Sequence, residues 1–266
     1  MNRIDTLFLR RNQNILSAYF TAGYPDLDDT ADIIKGLEAS GADMIEIGFP
    51  FSDPVADGPV IQKSSHQALA GGMNLDLLFE QLKGINTESE VPRILMGYFN
   101  TVLQYGVERF LERCSECGID GAILPDLPPE LYEERYKGQF EEAGIHFICL
   151  VAPQTSPERI LYLSSVSRGF LYLLSSSSIT GQKGAIPENR PDTPTRASYS
   201  LPTLVGFGIH DHTTFNQACN RANGGIIGSE FIRRLTTIDA ALTGDTRRRV
   251  IFEVCTHFIH EIRTGK

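Results

Sequence analysis

The sequence predicts an α/β fold, a (β/α)8 TIM barrel with a short extra N-terminal helix. Three observations predict it. Short β-branched runs alternate with amphipathic stretches along the chain. The runs number eight, which argues for a closed barrel over an open sheet. Several are near-continuous in apolar residues, as expected of strands covered on both faces.

The elements follow in order. Ile4, Leu7 and Phe8 mark a short helix ahead of the first strand, placed to cap the bottom of a barrel. The strand candidates are residues 15–21, 43–48, 93–98, 121–124, 146–151, 170–174, 203–206 and 225–228. Ile33, Ile34 and Leu37 mark the first crossover helix, and Ser40-Gly41 is its stop signal. Val107, Phe110, Leu111 and Cys114 recur at i, i+3, i+4, i+7. Val250, Ile251, Val254 and Phe258 mark a last helix at i, i+1, i+4, i+8. Residues 175–202 break the pattern. They hold Pro187, Pro191, Pro194 and Pro202 and show no helical stripe where a crossover helix is due. That stretch reads as a long mobile loop with a short or missing helix. No linker or low-complexity tail interrupts the chain, so residues 1–266 read as one barrel domain.

Composition narrows the class. The chain is 266 residues long, 41% hydrophobic and 21% charged, with a mean hydropathy of −0.13. These are ordinary values for a globular protein. A net charge of −9 and no basic patch exclude nucleic acid as the natural partner. An anion would have to be held locally, by backbone N–H groups or helix N-termini. No apolar run approaches the ~18 residues of a membrane span, and no signal-peptide core is present. Five cysteines, an odd number with three in apolar or helical contexts, argue against structural disulfides and for a reducing, cytoplasmic compartment.

The densest chemistry lies in residues 46–59, EIGFPFSDPVADGP. Glu46 sits in the apolar second strand, where an acid is costly unless paired or used. Burial there raises its pKa into the range of proton exchange. Asp57, in the polar loop, is expected to stay ionised. Two carboxylates in unlike environments can serve as acid and base of one site. The competing readings are plain. Glu46 would be a structural acid bonded to a neighbouring hydroxyl, Asp57 an Asx-turn or helix-cap residue, and Asp53-Pro54 a loop shaper.

In a barrel the βα loops at the C-terminal strand ends carry the site. Tyr172 lies in the sixth strand, as pocket wall or core filling. Ser175-Ser176-Ser177-Ser178-Ile179-Thr180-Gly181 follows it, Gly206-Phe207-Gly208 ends the seventh strand, and Gly228-Ser229 ends the eighth. Together the last three groups suggest a phosphate site made by backbone N–H groups, though a turn explains any single glycine equally well. Weaker signals are Cys114 and Cys117, one CxxC without a partner pair, and His210-Asp211-His212, which lacks an evident third metal ligand. None of the six lysines falls in a predicted strand, so Schiff-base chemistry has no barrel lysine to use.

At these residues the chain resembles the alpha subunits of tryptophan synthase. Residues 46–59 are close to that family's signature. The likeness extends in order through Tyr98-Phe99-Asn100, Pro125-Asp126-Leu127-Pro128, Tyr172-Leu173-Leu174-Ser175, Ile179-Thr180-Gly181, Gly206-Phe207-Gly208-Ile209 and Gly228-Ser229. The resemblance implies retro-aldol cleavage of indole-3-glycerol phosphate into indole and glyceraldehyde 3-phosphate. It implies Glu46 as general acid/base and Asp57 as the group that stabilises charge at the indole nitrogen. Thr180 would meet Asp57 on loop closure. Gly181, Gly208, Gly228 and Ser229 would hold the phosphate, and Tyr19, Tyr172 and Phe207 would line the indole pocket. No metal or cofactor is implied in this chain. A pyridoxal-phosphate beta subunit is the implied partner, in an alpha2beta2 assembly, against the loop after the second strand, Tyr98–Asn100 and Asp126–Pro128. Three departures from the family pattern stand out. Tyr24 replaces a common acid, Ser176 and Ser178 replace an Arg and a Gly, and a Pro-rich stretch from Ile186 to Pro202 replaces the sixth helix. Two other functions compete: a non-catalytic barrel that activates a beta subunit, and a different phosphate-binding barrel isomerase or lyase.

Overall fold

The computed structural model describes residues 1–55, 57–85, 89–174 and 199–266. Among these residues nine strand segments run parallel in one sheet. They are β1 (Ile15–Thr21), β2 (Met44–Gly48), β3 (Arg93–Met96), β4 (Gly121–Ile123), β5 (His146–Phe147), β6 (Leu150–Val151), β7 (Leu171–Leu174), β8 (Thr203–Gly206) and β9 (Gly224–Ile227). Their spatial order is β5-β4-β3-β2-β1-β9-β8-β7-β6.

The two outermost segments belong to one extended run. Between them the Ile148 N–H donates to the Ala122 carbonyl at 3.1 Å, and the Cys149 carbonyl accepts from the Tyr172 N–H at 3.0 Å. The run therefore pairs with β4 along its first half and β7 along its second, and the sheet curls closed as a TIM barrel. The predicted strand 146–151 is thus present but divided. In a staggered barrel a short strand meets its two neighbours at different points along its length. The third predicted strand also ends early. The chain turns at Gly97-Tyr98 into the helix Phe99–Tyr105, whose first N–H groups donate to Asp126 at 2.6 Å (Phe99) and 3.2 Å (Asn100).

The helix Arg3–Arg10 sits across the N-terminal strand ends, as the sequence predicts. Ile4 is fully buried. A Cβ built on Gly121 or Gly169 would come within 3.1 Å or 2.7 Å of the Ile4 side chain. Phe8 packs on Phe170 with ring centroids 6.0 Å apart. Arg3 Nε donates to both oxygens of Asp120, at 2.9 and 3.1 Å, and that carboxylate also accepts the Arg93 N–H at 2.9 Å.

The predicted helical stripes fall on the helices Thr30–Ala39, Val107–Glu116 and Gly244–Thr264, with Ile33, Ile34, Leu37, Phe110, Leu111, Cys114, Ile251 and Phe258 buried. The first βα loop is tied to the last helix by Asp29, which takes Arg247 Nε and Nη2 at 2.6 Å each. Tyr24, in the same loop, is turned inward, its hydroxyl 2.9 Å from that of Thr236. The predicted long loop, apart from its last residues 199–202, lies outside the described residues. No helix among the described residues is long and apolar enough to cross a membrane.

Candidate active site

The β1–β2 register pairs Tyr19 with Glu46. Side-chain alternation puts Ser17, Tyr19, Glu46 and Gly48 on one wall of the barrel interior. Glu46 is fully buried. The Ser17 hydroxyl donates to its Oε1 at 2.9 Å, while Oε2 has no hydrogen-bond partner among the described residues. Burial pushes the carboxyl up to about 8, against the pull of the Ser17 hydrogen bond. Glu46 is therefore protonated at neutral pH. The neighbouring hydroxyl of the structural reading exists, but it serves one oxygen only. A buried acid with a purely structural task is expected to have both served.

Asp57 is held by its backbone. Its N–H donates to the Pro54 carbonyl at 3.0 Å, and its carbonyl accepts Gln62 Nε2 at 2.9 Å. The helix Pro59–Ala70 begins one residue later, with Gly58 as N-cap and no side-chain cap. The helix-cap reading of Asp57 is thus not realised. Its half-buried carboxyl is pushed up to about 6 by burial. It stays ionised at neutral pH, as the sequence predicts, but closer to neutrality than a polar loop suggests. Asp53 is exposed and takes the Ser52 hydroxyl at 2.6 Å, a loop-shaping contact.

A cleft at the strand ends brings Asp57 together with Tyr19, Phe49, Phe51, Ser65, Met96 and Tyr98. Aromatic rings at this end of the barrel are seated on glycines at or just past the ends of neighbouring strands. A Cβ on Gly48 would lie 2.2 Å from the Tyr19 hydroxyl, on Gly97 2.3 Å from the Phe49 ring, and on Gly206 2.1 Å from the Tyr172 ring. Phe51 stacks on Tyr98 at 4.6 Å, and Tyr172 meets Phe207 edge-on at 6.3 Å. Burial raises the Tyr19 and Tyr172 phenols, and the charges of Asp57 and Glu46 add to it. Both tyrosines therefore stand within electrostatic reach of both acids.

After β8, Phe207 has φ 70° and Gly208 φ 78°. A phenylalanine rarely adopts that conformation, and such positions gather at functional sites. Gly228 is the N-cap of the helix Ser229–Leu235 and has no side-chain cap. Thr180 and Gly181 lie outside the described residues. The histidine pair has other work. Asp211 caps the helix His212–Arg221, His210 Nδ1 lies 3.1 Å from the Gly208 carbonyl, and His212 Nδ1 lies 2.9 Å from that of Ile262. Cys114 and Cys117 are both buried, with their thiols pushed up by burial.

The model of one family, tryptophan synthase alpha chain, matches residues 7–257. The chain belongs to the tryptophan synthase alpha chain family. Relatives of that name are similar over most of their length. One from Christiangramia forsetii is 51% identical across 94% of this chain and 98% of its own. One from Flavobacterium psychrophilum is 54% identical across 89% and 94%. A crystal structure of the alpha chain from Legionella pneumophila superposes with a TM-score of 0.83 at 32% identity, covering 100% of this chain and 97% of that one. A Mycobacterium tuberculosis tryptophan synthase structure gives 0.77 at 30% identity, covering 97% and 100%.

As a member of that family the chain is a lyase of tryptophan biosynthesis. It cleaves indole-3-glycerol phosphate into indole and glyceraldehyde 3-phosphate. The reaction needs no cofactor in this chain, and pyridoxal phosphate belongs to the beta subunit, the partner of the family. Sequence reasoning did not single out Ser17 on the barrel wall or Phe49, Phe51, Ser65 and Met96 in the cleft. Strand alternation from Tyr19 would have found Ser17, because residues two apart share a face.

Proposed function

We propose that Glu46 and Asp57 carry the cleavage. The observation behind this is the fully buried Glu46 with one unserved oxygen, pushed up to about 8, and a second acid, Asp57, pushed only to about 6, both within electrostatic reach of Tyr19 and Tyr172. Glu46 gives its proton to indole C3. The ring nitrogen then bears positive charge, which the Asp57 carboxylate stabilises. The Glu46 carboxylate next takes the proton of the glycerol hydroxyl on the carbon joined to the ring. The C–C bond breaks, its electron pair returns to the indole ring, and the hydroxyl carbon becomes the aldehyde. Glu46 ends protonated, ready for another turn, and no water or metal enters the balance.

Tyr19, Tyr172 and Phe207 line the indole pocket. Gly208, Gly228 and Ser229 hold the phosphate through backbone N–H groups, with Gly181. Thr180 meets Asp57 when its loop closes. The reversed backbone at Phe207-Gly208 and the uncapped N-terminus at Gly228 support the phosphate reading. Residues 1–266 act as one domain. Two chains join two beta subunits through the loop after β2, Tyr98–Asn100 and Asp126–Pro128. The exposed Val55 and Leu103 on that rim fit such a contact. The acidic chain with its free cysteines belongs in the cytoplasm.

The test is indole release by wild type and Glu46→Gln, with and without the beta subunit. Turnover is expected to fall at least ~10²-fold, the scale of general acid–base catalysis, while the fold and binding of a substrate analogue survive. Turnover retained by the variant sinks the assignment of Glu46. Light scattering of the mixed subunits tests the stoichiometry.

A further inference from the structure

The helix Pro59–Ala70 presents two adjacent serines on its buried side, and they are treated differently. The Ser64 hydroxyl is satisfied twice, by the Ile61 carbonyl at 2.8 Å and the Thr21 hydroxyl at 2.7 Å. Ser65 is 4% exposed, and its hydroxyl makes no hydrogen bond among the described residues. Ser65 lines the same cleft as Asp57. The Asp57 carboxylate likewise takes no hydrogen bond among the described residues, for all the contacts of its backbone. A hydroxyl with no structural bond and an ionised carboxylate with no donor thus line the same cleft. An alanine would fill the Ser65 position without leaving a polar atom unserved.

We propose that Ser65 is a positioning residue for this reaction: in the working enzyme its hydroxyl donates to the Asp57 carboxylate and holds it toward the indole nitrogen. The inference rests on the reading of Asp57 as the charge-stabilising group. Ser65 touches no reacting atom and acts through Asp57. Side-chain rotation alone would have to bring them together, because the backbone of Asp57 is pinned by Pro54 and Gln62 and Ser65 rides on a helix.

The experiment compares Ser65→Ala, Ser64→Ala, Asp57→Asn and Ser65→Ala/Asp57→Asn, each assayed for indole release in the presence of the beta subunit and for thermal midpoint. Ser65→Ala is expected to lose tenfold or more in kcat, the scale of a hydrogen bond to a charged group, with KM moved less than twofold and the midpoint unchanged or raised. Ser64→Ala is expected to lower the midpoint. In the Asp57→Asn background, Ser65→Ala should cost less than a further twofold. Unchanged kcat in Ser65→Ala overturns the inference. So does a rise in KM at constant kcat, which would make Ser65 a direct substrate contact. A fall in midpoint matching that of Ser64→Ala overturns it too, since the hydroxyl would then be structural. Full activity in Asp57→Asn removes the parent reading itself, and the two failures are distinguishable.

Discussion

Glu46 and Asp57 differ by what surrounds one carboxyl group each. Glu46 loses water on every side and is pushed up to about 8, while the partial burial of Asp57 raises it to about 6. A mechanism that needs the first protonated and the second ionised runs best between those values. The kcat/KM profile for indole release is expected to be bell-shaped, with limbs near them. Ser17 favours the charged form of Glu46, so Ser17→Ala should move the basic limb to higher pH. Stability follows the same proton. The folded chain keeps it on Glu46 up to about 8, whereas an unfolded glutamate releases it near ~4.3. The folded state therefore binds more protons across that window, and its stability falls as pH rises through it. Glu46→Gln removes this loss. Its thermal midpoint, measured against wild type at several pH values, should gain ground as pH climbs from acid to mildly alkaline. At this scale the burial of Glu46 was legible, because an acid in an apolar run is covered together with its strand. Ser65 was not, because nothing local separates it from Ser64; only the third dimension does.

Elements were legible where one period dominates. The helix stripes of Ile33, Ile34 and Leu37, and of Phe110, Leu111 and Cys114, point inward as the spacing predicts. The division of residues 146–151 was hidden, because stagger between strands leaves no mark on either strand alone. The N-terminal helix is a case where a weak signal carried a strong role. Three apolar residues predict it, and Ile4 plugs the barrel floor against Gly121 and Gly169. Ile4→Ala is expected to cost ~2–5 kcal/mol of stability, as a large-to-small change at a full core site. Denaturant unfolding would read this loss. The kcat measured well below the transition should stay near wild type, since the plug lies at the end of the barrel away from the cleft.

The whole molecule is held closed by contacts between distant parts of the chain. Asp29 and Arg247 form a two-pronged pair, 4% and 11% exposed, between the first βα loop and the last helix. Asp43 likewise takes Arg11 at 2.9 Å and also bonds Arg263. Such pairings are invisible in sequence, because no spacing rule links positions so far apart. Arg247→Leu would strand a buried carboxylate, at a cost of ~3–5 kcal/mol. The double variant Asp29→Asn/Arg247→Leu is expected to recover part of that loss, and thermal unfolding of the pair of variants would decide it. The family's barrel was readable in outline, then, while its fastening was not.

The rings seated on glycines make the cleft a surface shaped by missing atoms. Tyr19, Phe49 and Tyr172 each occupy the space where a neighbouring strand lacks a side chain. In a saturation library selected for growth without tryptophan, Gly48, Gly97 and Gly206 should be as intolerant as the acids. Even alanine, the mildest replacement, would shift a ring into the space the substrate needs. Variation would be read there as damage to catalysis by residues with no chemistry of their own.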